Sequence, residues 1–72
     1  MKIWKYRHYK WTIGEVIGIA KHTETWDDMV VYKHYEHEWQ EETTLRTRPK
    51  KIFEEHVVVD GKEVKRFEYI GE

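Results

Sequence analysis

Five consecutive β-branched or small residues, Val16-Ile17-Gly18-Ile19-Ala20, run directly into the polar cluster Lys21-His22-Thr23-Glu24-Thr25. The apolar part predicts a central strand, because β-branched side chains fit a pleated, half-buried surface. Glu15 to Lys21 as a strand would set Val16, Gly18 and Ala20 on one face and Ile17, Ile19 and Lys21 on the other. A face carrying Gly and Ala invites a ring to lie closely on it. The polar end is a candidate site.

The neighbouring segments support an all-β reading. Ile3 to Lys10 alternates as a strand, with Trp4, Tyr6 and His8 on one side and Ile3, Lys5, Arg7 and Tyr9 on the other. Trp11 to Gly14 reads as a turn in which Gly14 takes positive φ. Met29 to Tyr35 predicts a third strand, and Val31 is expected in the core. Glu36 to Thr43 is acidic and lacks alternation, so it reads as a long exposed loop with Trp39 against the barrel wall. Thr44 to Arg48 is a short strand stopped by Pro49, after which residues 49–55 predict one helical turn with Ile52 and Phe53 inward. His56-Val57-Val58-Val59, Asp60-Gly61 and Lys62-Glu63-Val64 spell a hairpin, since Asp-Gly tolerates the positive φ of a type I′ turn. Phe67 and Tyr69 extend its second arm. Five to six short strands of this kind predict one domain over residues 1–72, a small partly open barrel of SH3-like topology.

Composition narrows the class further. A chain of 72 residues buries only about 60% of its unfolded surface. With no cysteine to staple it, stability must come from packing, and four Trp, five Tyr and two Phe carry that load. No apolar run approaches the roughly 20 residues of a membrane span, and the N-terminus lacks the apolar core of a signal peptide; a soluble, cytoplasmic protein is expected. Thirteen Lys and Arg against fourteen Asp and Glu leave a net charge of −1, which argues against strong non-specific polyanion binding. Charge is nevertheless segregated: Lys2 to Lys10 holds four bases and no acid, whereas Glu36 to Glu42 holds four Glu and neither Lys nor Arg.

Together, Lys5-Tyr6-Arg7-His8-Tyr9-Lys10, the stretch Glu15 to Thr25, Val30-Val31-Tyr32, Arg48-Pro49, Phe53, Val59-Asp60-Gly61-Lys62 and Arg66-Phe67 resemble the DUF1653 family of small bacterial and phage proteins. The resemblance covers nearly the whole chain in order, and it implies no activity, because that family has no assigned function. Two departures stand out. Gly14 occupies a place where the family usually has an aromatic ahead of Glu-Val, and Leu45-Arg46-Thr47 replaces a usual Leu-Trp-Val before Arg-Pro. Arg7, His8, His22, Glu24, Thr25, Arg48 and Arg66 all keep the family pattern.

The candidate chemistry is that of binding. His22 and Glu24 share a face if the strand continues, so imidazole and carboxylate can cooperate there with Thr25; the plain alternative is a turn whose side chains satisfy backbone groups. Lys5, Arg7 and Tyr9 make a basic-aromatic face suited to phosphate and a stacked base, or an edge strand guarded by charge. Arg48 alongside Arg7 and His22 would complete an anion pocket, and Tyr9 or Tyr32 would stack the ligand. His34, Glu36, His37 and Glu38 have weak metal-ligand spacing with no third fixed ligand, so no metal or other cofactor is expected. Without Cys, Ser or a phosphate-binding glycine loop, catalysis has little to stand on. The favoured expectation is a module binding an anionic ligand or nucleic acid through Lys5, Arg7, Tyr9, His22, Glu24, Thr25, Tyr32 and Arg48. The alternative is a protein-interaction domain, self-associating or with another partner, that uses a sheet edge and aromatic anchors.

Overall fold

The structure is a computed structural model, and it describes residues 1–37, 39–41 and 43–71. Seven strands and one short helix follow in the order β1 (Trp4–His8), β2 (Ile13–Lys21), β3 (Asp28–Tyr35), β4 (Thr44–Pro49), α1 (Lys50–Phe53), β5 (His56–Val59), β6 (Lys62–Lys65) and β7 (Phe67–Tyr69). An antiparallel sheet runs β4-β3-β2-β1-β7, and β5-β6 form a separate two-stranded hairpin. The fold is all-β and open. Its five-stranded sheet curls until the guanidinium of Arg48, on one edge strand, lies 5.4 Å from the ring centre of Phe67 on the other.

Register explains which side chains enter the core. Tyr32 lies opposite Val16, Val16 opposite Trp4, and His8 opposite Phe67. The even-numbered residues of β1 and β3 thus share the concave face with Phe67 and Tyr69. Val30, Tyr32, Val16, Tyr6, Phe53 and Phe67 form the buried cluster. Val30 rather than Val31 is fully buried, which corrects the expected parity of the third strand. Ile17 causes a matching correction in β2. The register slips between Val16 and Gly18, a bulge that turns Ile19 toward Val30 and leaves Gly18 and Ala20 on the convex face. Among the described residues no ring covers Gly18.

The helix serves the core through one residue. Pro49 ends β4, and the single turn that follows delivers Phe53, while Ile52 stays partly exposed. Phe53 stacks on Phe67 with centroids 4.0 Å apart and meets the edge of Tyr6 at 5.2 Å. Such pairs add about 0.5–1.5 kcal/mol beyond the area they bury. In a chain this small, three or four of them matter.

Gly14 is the close approach on which this packing depends. It sits inside β2 rather than in a turn, and a Cβ there would stand 3.3 Å from the Tyr32 ring and 3.5 Å from Phe67. The left-handed residue of the first turn is instead Trp11, at φ 74°. At the last hairpin Asp60 and Gly61 take φ of 51° and 78°, the positive values its sequence demands. The second arm of that hairpin does not continue to Tyr69 but bends at Arg66, giving seven strands instead of five or six. At that bend the Arg66 N–H donates to the Glu55 carbonyl, and the Tyr9 N–H donates to the Arg66 carbonyl, each at 2.9 Å. One residue therefore ties the hairpin to the large sheet.

Candidate functional site

Three sets of polar side chains deserve comparison, and the topology separates them. On the convex side of β1, Arg7 lies opposite Ile13 and Glu68 in the pairing. Beyond β1 the backbone turns back on itself: the Trp11 N–H donates to the His8 carbonyl at 2.7 Å, and the His8 N–H to the Thr12 carbonyl at 2.8 Å. Trp11 is left in the left-handed region with 73% of its surface exposed. The Arg7 guanidinium lies 5.4 Å from its ring centre, a cation–π contact worth about 0.5–1 kcal/mol at an exposed site.

The hairpin β5-β6 supplies the opposite wall. Val57 pairs with Val64 and Val59 with Lys62, so one hairpin face carries three valines beside a single lysine. Between the two lies a groove of about 330 Å³ lined by Arg7, His8, Tyr9, Trp11, Val59, Val64, Lys65 and Glu68. Indole and phenol rings, two aliphatic side chains and two cations bound it, with one carboxylate at Glu68. Such a surface can take a flat ring together with an anionic group.

The second set lies at the far end of β2. His22 N–H donates to the Asp27 carbonyl and Trp26 N–H to the His22 carbonyl, closing a tight exposed turn. The His22 Nδ1 accepts from the backbone N–H of Glu24 at 3.2 Å and of Thr25 at 3.4 Å. Thr25 Oγ1 donates to the Asp27 carboxylate at 2.9 Å. These contacts are those of a self-satisfied turn. Glu24 does not meet the imidazole through its side chain in any described contact.

The third set lies on the concave side. His8 presents its ring edge to Phe67 at 4.8 Å and lies against Tyr9 at 4.6 Å. Burial, reinforced by the charges of Arg48, Arg66, Lys10 and His34, lowers its pKa to about 4. Arg66 joins Glu55 at 3.3 Å.

The expected site residues therefore do not gather in one place. Arg7 and Tyr9 share the groove. Lys5 is on the same convex face but lines a separate hollow with Glu15, Tyr35 and Ile70. His22, Glu24 and Thr25 stand a whole strand away, since β2 covers nine residues from the partner of Arg7 to the start of that turn, about 26 Å. Arg48 lies on the concave face. Tyr32 is 3% exposed and packs its ring on Phe53 and Phe67, so it presents no stacking surface. An anion pocket of Arg7, His22 and Arg48 does not form.

Elsewhere, His34 bonds Glu36 at 3.0 Å and His37 stacks on Trp39 at 4.6 Å; Glu38 is outside the described residues. No group of three metal-ligating side chains occurs among the described residues. Trp39 is 79% exposed and does not lie on the sheet. Sequence reasoning missed Trp11, Val59, Val64, Lys65 and Glu68. A bare Trp in a predicted turn beside a basic strand was a usable signal for the first, but the others reach the groove only through the bend at Arg66.

No curated protein matches the chain significantly. It is similar in structure to the crystal structure of a DUF1653 protein from Bordetella bronchiseptica, with a TM-score of 0.84 and 30% identity over 99% of this chain and 88% of that one. The model of the family described as a protein of unknown function, DUF1653, matches residues 4–69. That match takes in every strand from Trp4 to Tyr69, and the chain belongs to the DUF1653 family.

Proposed function

We propose that this protein is a binding module whose convex groove takes a ligand joining a flat ring to an anionic group, in the class of a nucleotide or single-stranded nucleic acid. The observation that carries this reading is the exposed Trp11 indole, held by left-handed backbone beneath the Arg7 guanidinium at the mouth of the groove. A bulky residue at that φ costs about 1–2 kcal/mol relative to ordinary backbone, and burial of Trp11 does not offset it. Strain of this kind is a pointer to function. Stacking on Trp11 or Tyr9 contributes about 1–3 kcal/mol per base, with Arg7 and Lys65 placed for phosphate. Glu68 limits the positive field, which favours short ligands over extended polyanions.

The scaffold is SH3-like in this proposal: a meander of four strands, a helical turn, and a last strand returning beside the first. No helix among the described residues is long and apolar enough to cross a membrane, and a cytoplasmic setting goes with a ligand of this class.

Calorimetric titration with short single-stranded oligonucleotides and with nucleoside monophosphates tests the reading. Trp11→Ala and Arg7→Ala should each weaken binding by about tenfold or more, and affinity should fall as salt rises. Binding that neither substitution alters would refute the groove. A second reading rests on β4, which among the described residues pairs only with β3, leaving its other edge open, with Leu45 63% exposed. A partner strand adding there would bind with little response to salt.

A further inference from the structure

Behind the groove, on the concave side of the sheet, basic side chains outnumber the carboxylates described as meeting them. Arg48 arrives from β4, Arg66 from the bend before β7, Lys10 from the first turn and His34 from β3, and all four act on His8. Arg48 and His8 lean on the same ring, at 5.4 and 4.8 Å from the centre of Phe67. Glu55 reaches one terminal nitrogen of Arg66 and Glu36 reaches His34. Among the described residues no carboxylate contacts Arg48 or His8.

Two donors in this cluster have no acceptor among the described residues. The Arg66 Nε is buried and unpartnered. The His8 Nδ1 accepts from the Lys10 backbone N–H at 3.1 Å, so the neutral ring carries its proton on Nε2, and no partner for that N–H is found. Like charges gathered around a half-buried imidazole repel, and a buried donor without an acceptor costs further stability. An anion accepting from these groups would remove both penalties.

We infer that Arg48, Arg66 and His8 form a binding site for a small oxyanion of the phosphate or carboxylate class, seated at the edge of Phe67 on the concave side of His8, whose other side lines the ring-binding groove. Guanidinium groups suit such oxygens because their N–H pairs match two acceptors at once. A free ion and the phosphate of a larger molecule share this chemistry. Neither Trp11 nor Arg7 takes part, so this site stands or falls independently of the groove.

Histidine ring NMR on the full chain, titrated over pH with and without inorganic phosphate, reads the site directly. Saturating phosphate should raise the His8 pKa by about one unit or more, since a bound anion favours the imidazolium. Arg48→Gln and Arg66→Gln should each weaken phosphate binding about tenfold, with Arg48→Lys, which keeps the charge, losing less. The amide spectrum of each variant reports whether the fold is kept. Nucleoside monophosphate and acetate arms separate the sources: a nucleotide that raises the His8 pKa at lower concentration than inorganic phosphate does, in wild type and Trp11→Ala alike, marks a phosphate belonging to a larger ligand, whereas equal affinity marks a free ion. A His8 titration indifferent to millimolar phosphate and acetate alike, or wild-type phosphate affinity in a folded Arg48→Gln, overturns the inference.

Discussion

The first turn, His8 to Ile13, and the second, His22 to Asp28, are built from the same local parts. Each opens with a histidine whose Nδ1 accepts backbone N–H groups two or three residues on. In each the histidine carbonyl accepts the N–H of an exposed tryptophan at 2.7 Å, and that tryptophan is left-handed, at φ 74° or 62°. Their surroundings differ completely. His8 is half-buried against Phe67 and hemmed by Arg48, Arg66, Lys10 and His34 from four segments, with a groove on its other side. His22 is exposed, and its companions Glu24, Thr25 and Asp27 are polar. A local motif fixes the shape of a turn, while the sheet around it decides whether that turn can bind anything.

The largest test of this contrast is Phe67→Ala. Phe67 is 6% exposed and carries both His8 and Arg48. Its truncation should cost about 3–5 kcal/mol in denaturant unfolding, against a few tenths of a kcal/mol for Trp26→Ala at the second turn. Equal losses would show that the first turn is not anchored on the core. Gly14→Ala comes next, since the new methyl would press on the buried Tyr32 ring at 3.3 Å. We expect a loss of about 1–3 kcal/mol, visible as a lowered melting temperature.

Acidity should distinguish the turns by where each responds. His8 goes from 6.5 in its ordinary state to about 4 in the fold, so between those values the unfolded chain binds more protons. Stability is therefore full above about pH 6.5 and declines as pH falls toward 4, and His8→Gln should flatten that decline. At the second turn, the hydrogen bond and charge of Lys21, 2.7 Å away, hold Asp28 below its ordinary 3.8. Its contribution is present above that value and lost only as pH falls beneath it. Unfolding curves of D28N and the His8 variant across pH 3 to 8, on the order of half-unit steps, would separate the two windows.

Trp11→Gly and Trp26→Gly should have the smallest effects on the fold, and of unusual sign. Glycine relieves the left-handed strain while costing backbone entropy, so each variant should gain up to about 1 kcal/mol. Only Trp11→Gly should lose ligand binding. A substitution that stabilises the chain and abolishes its binding would mark Trp11 as a residue kept for use.

Much of the fold was legible along the chain because its signals are local. Alternation marked β1 and β3, Pro49 marked the end of β4 and the start of a helical turn, and Asp60-Gly61 marked the hairpin. Local signals failed where one residue changes the parity of everything after it. The bulge at Ile17 and the bend at Arg66 each redirect a run of side chains, and no spacing rule announces them. Gly14 misled for a related reason, since a missing Cβ serves a turn or a close ring approach equally well, and only the rings of Tyr32 and Phe67 decide which.

The candidate site shows the same division more sharply. By itself the sequence determined that Arg7, Tyr9 and Arg48 lie on or beside strands, and it left His22, Glu24 and Thr25 between a strand end and a turn. Only the tertiary structure decided that Arg7 and Tyr9 meet Trp11 and Lys65, that Arg48 crosses to Phe67 and His8, and that His22 stands apart. Strand identity follows from short-range sterics within a few residues. Convergence depends on how far a sheet curls and which edges it brings together, and those are set by packing among residues distant in the chain.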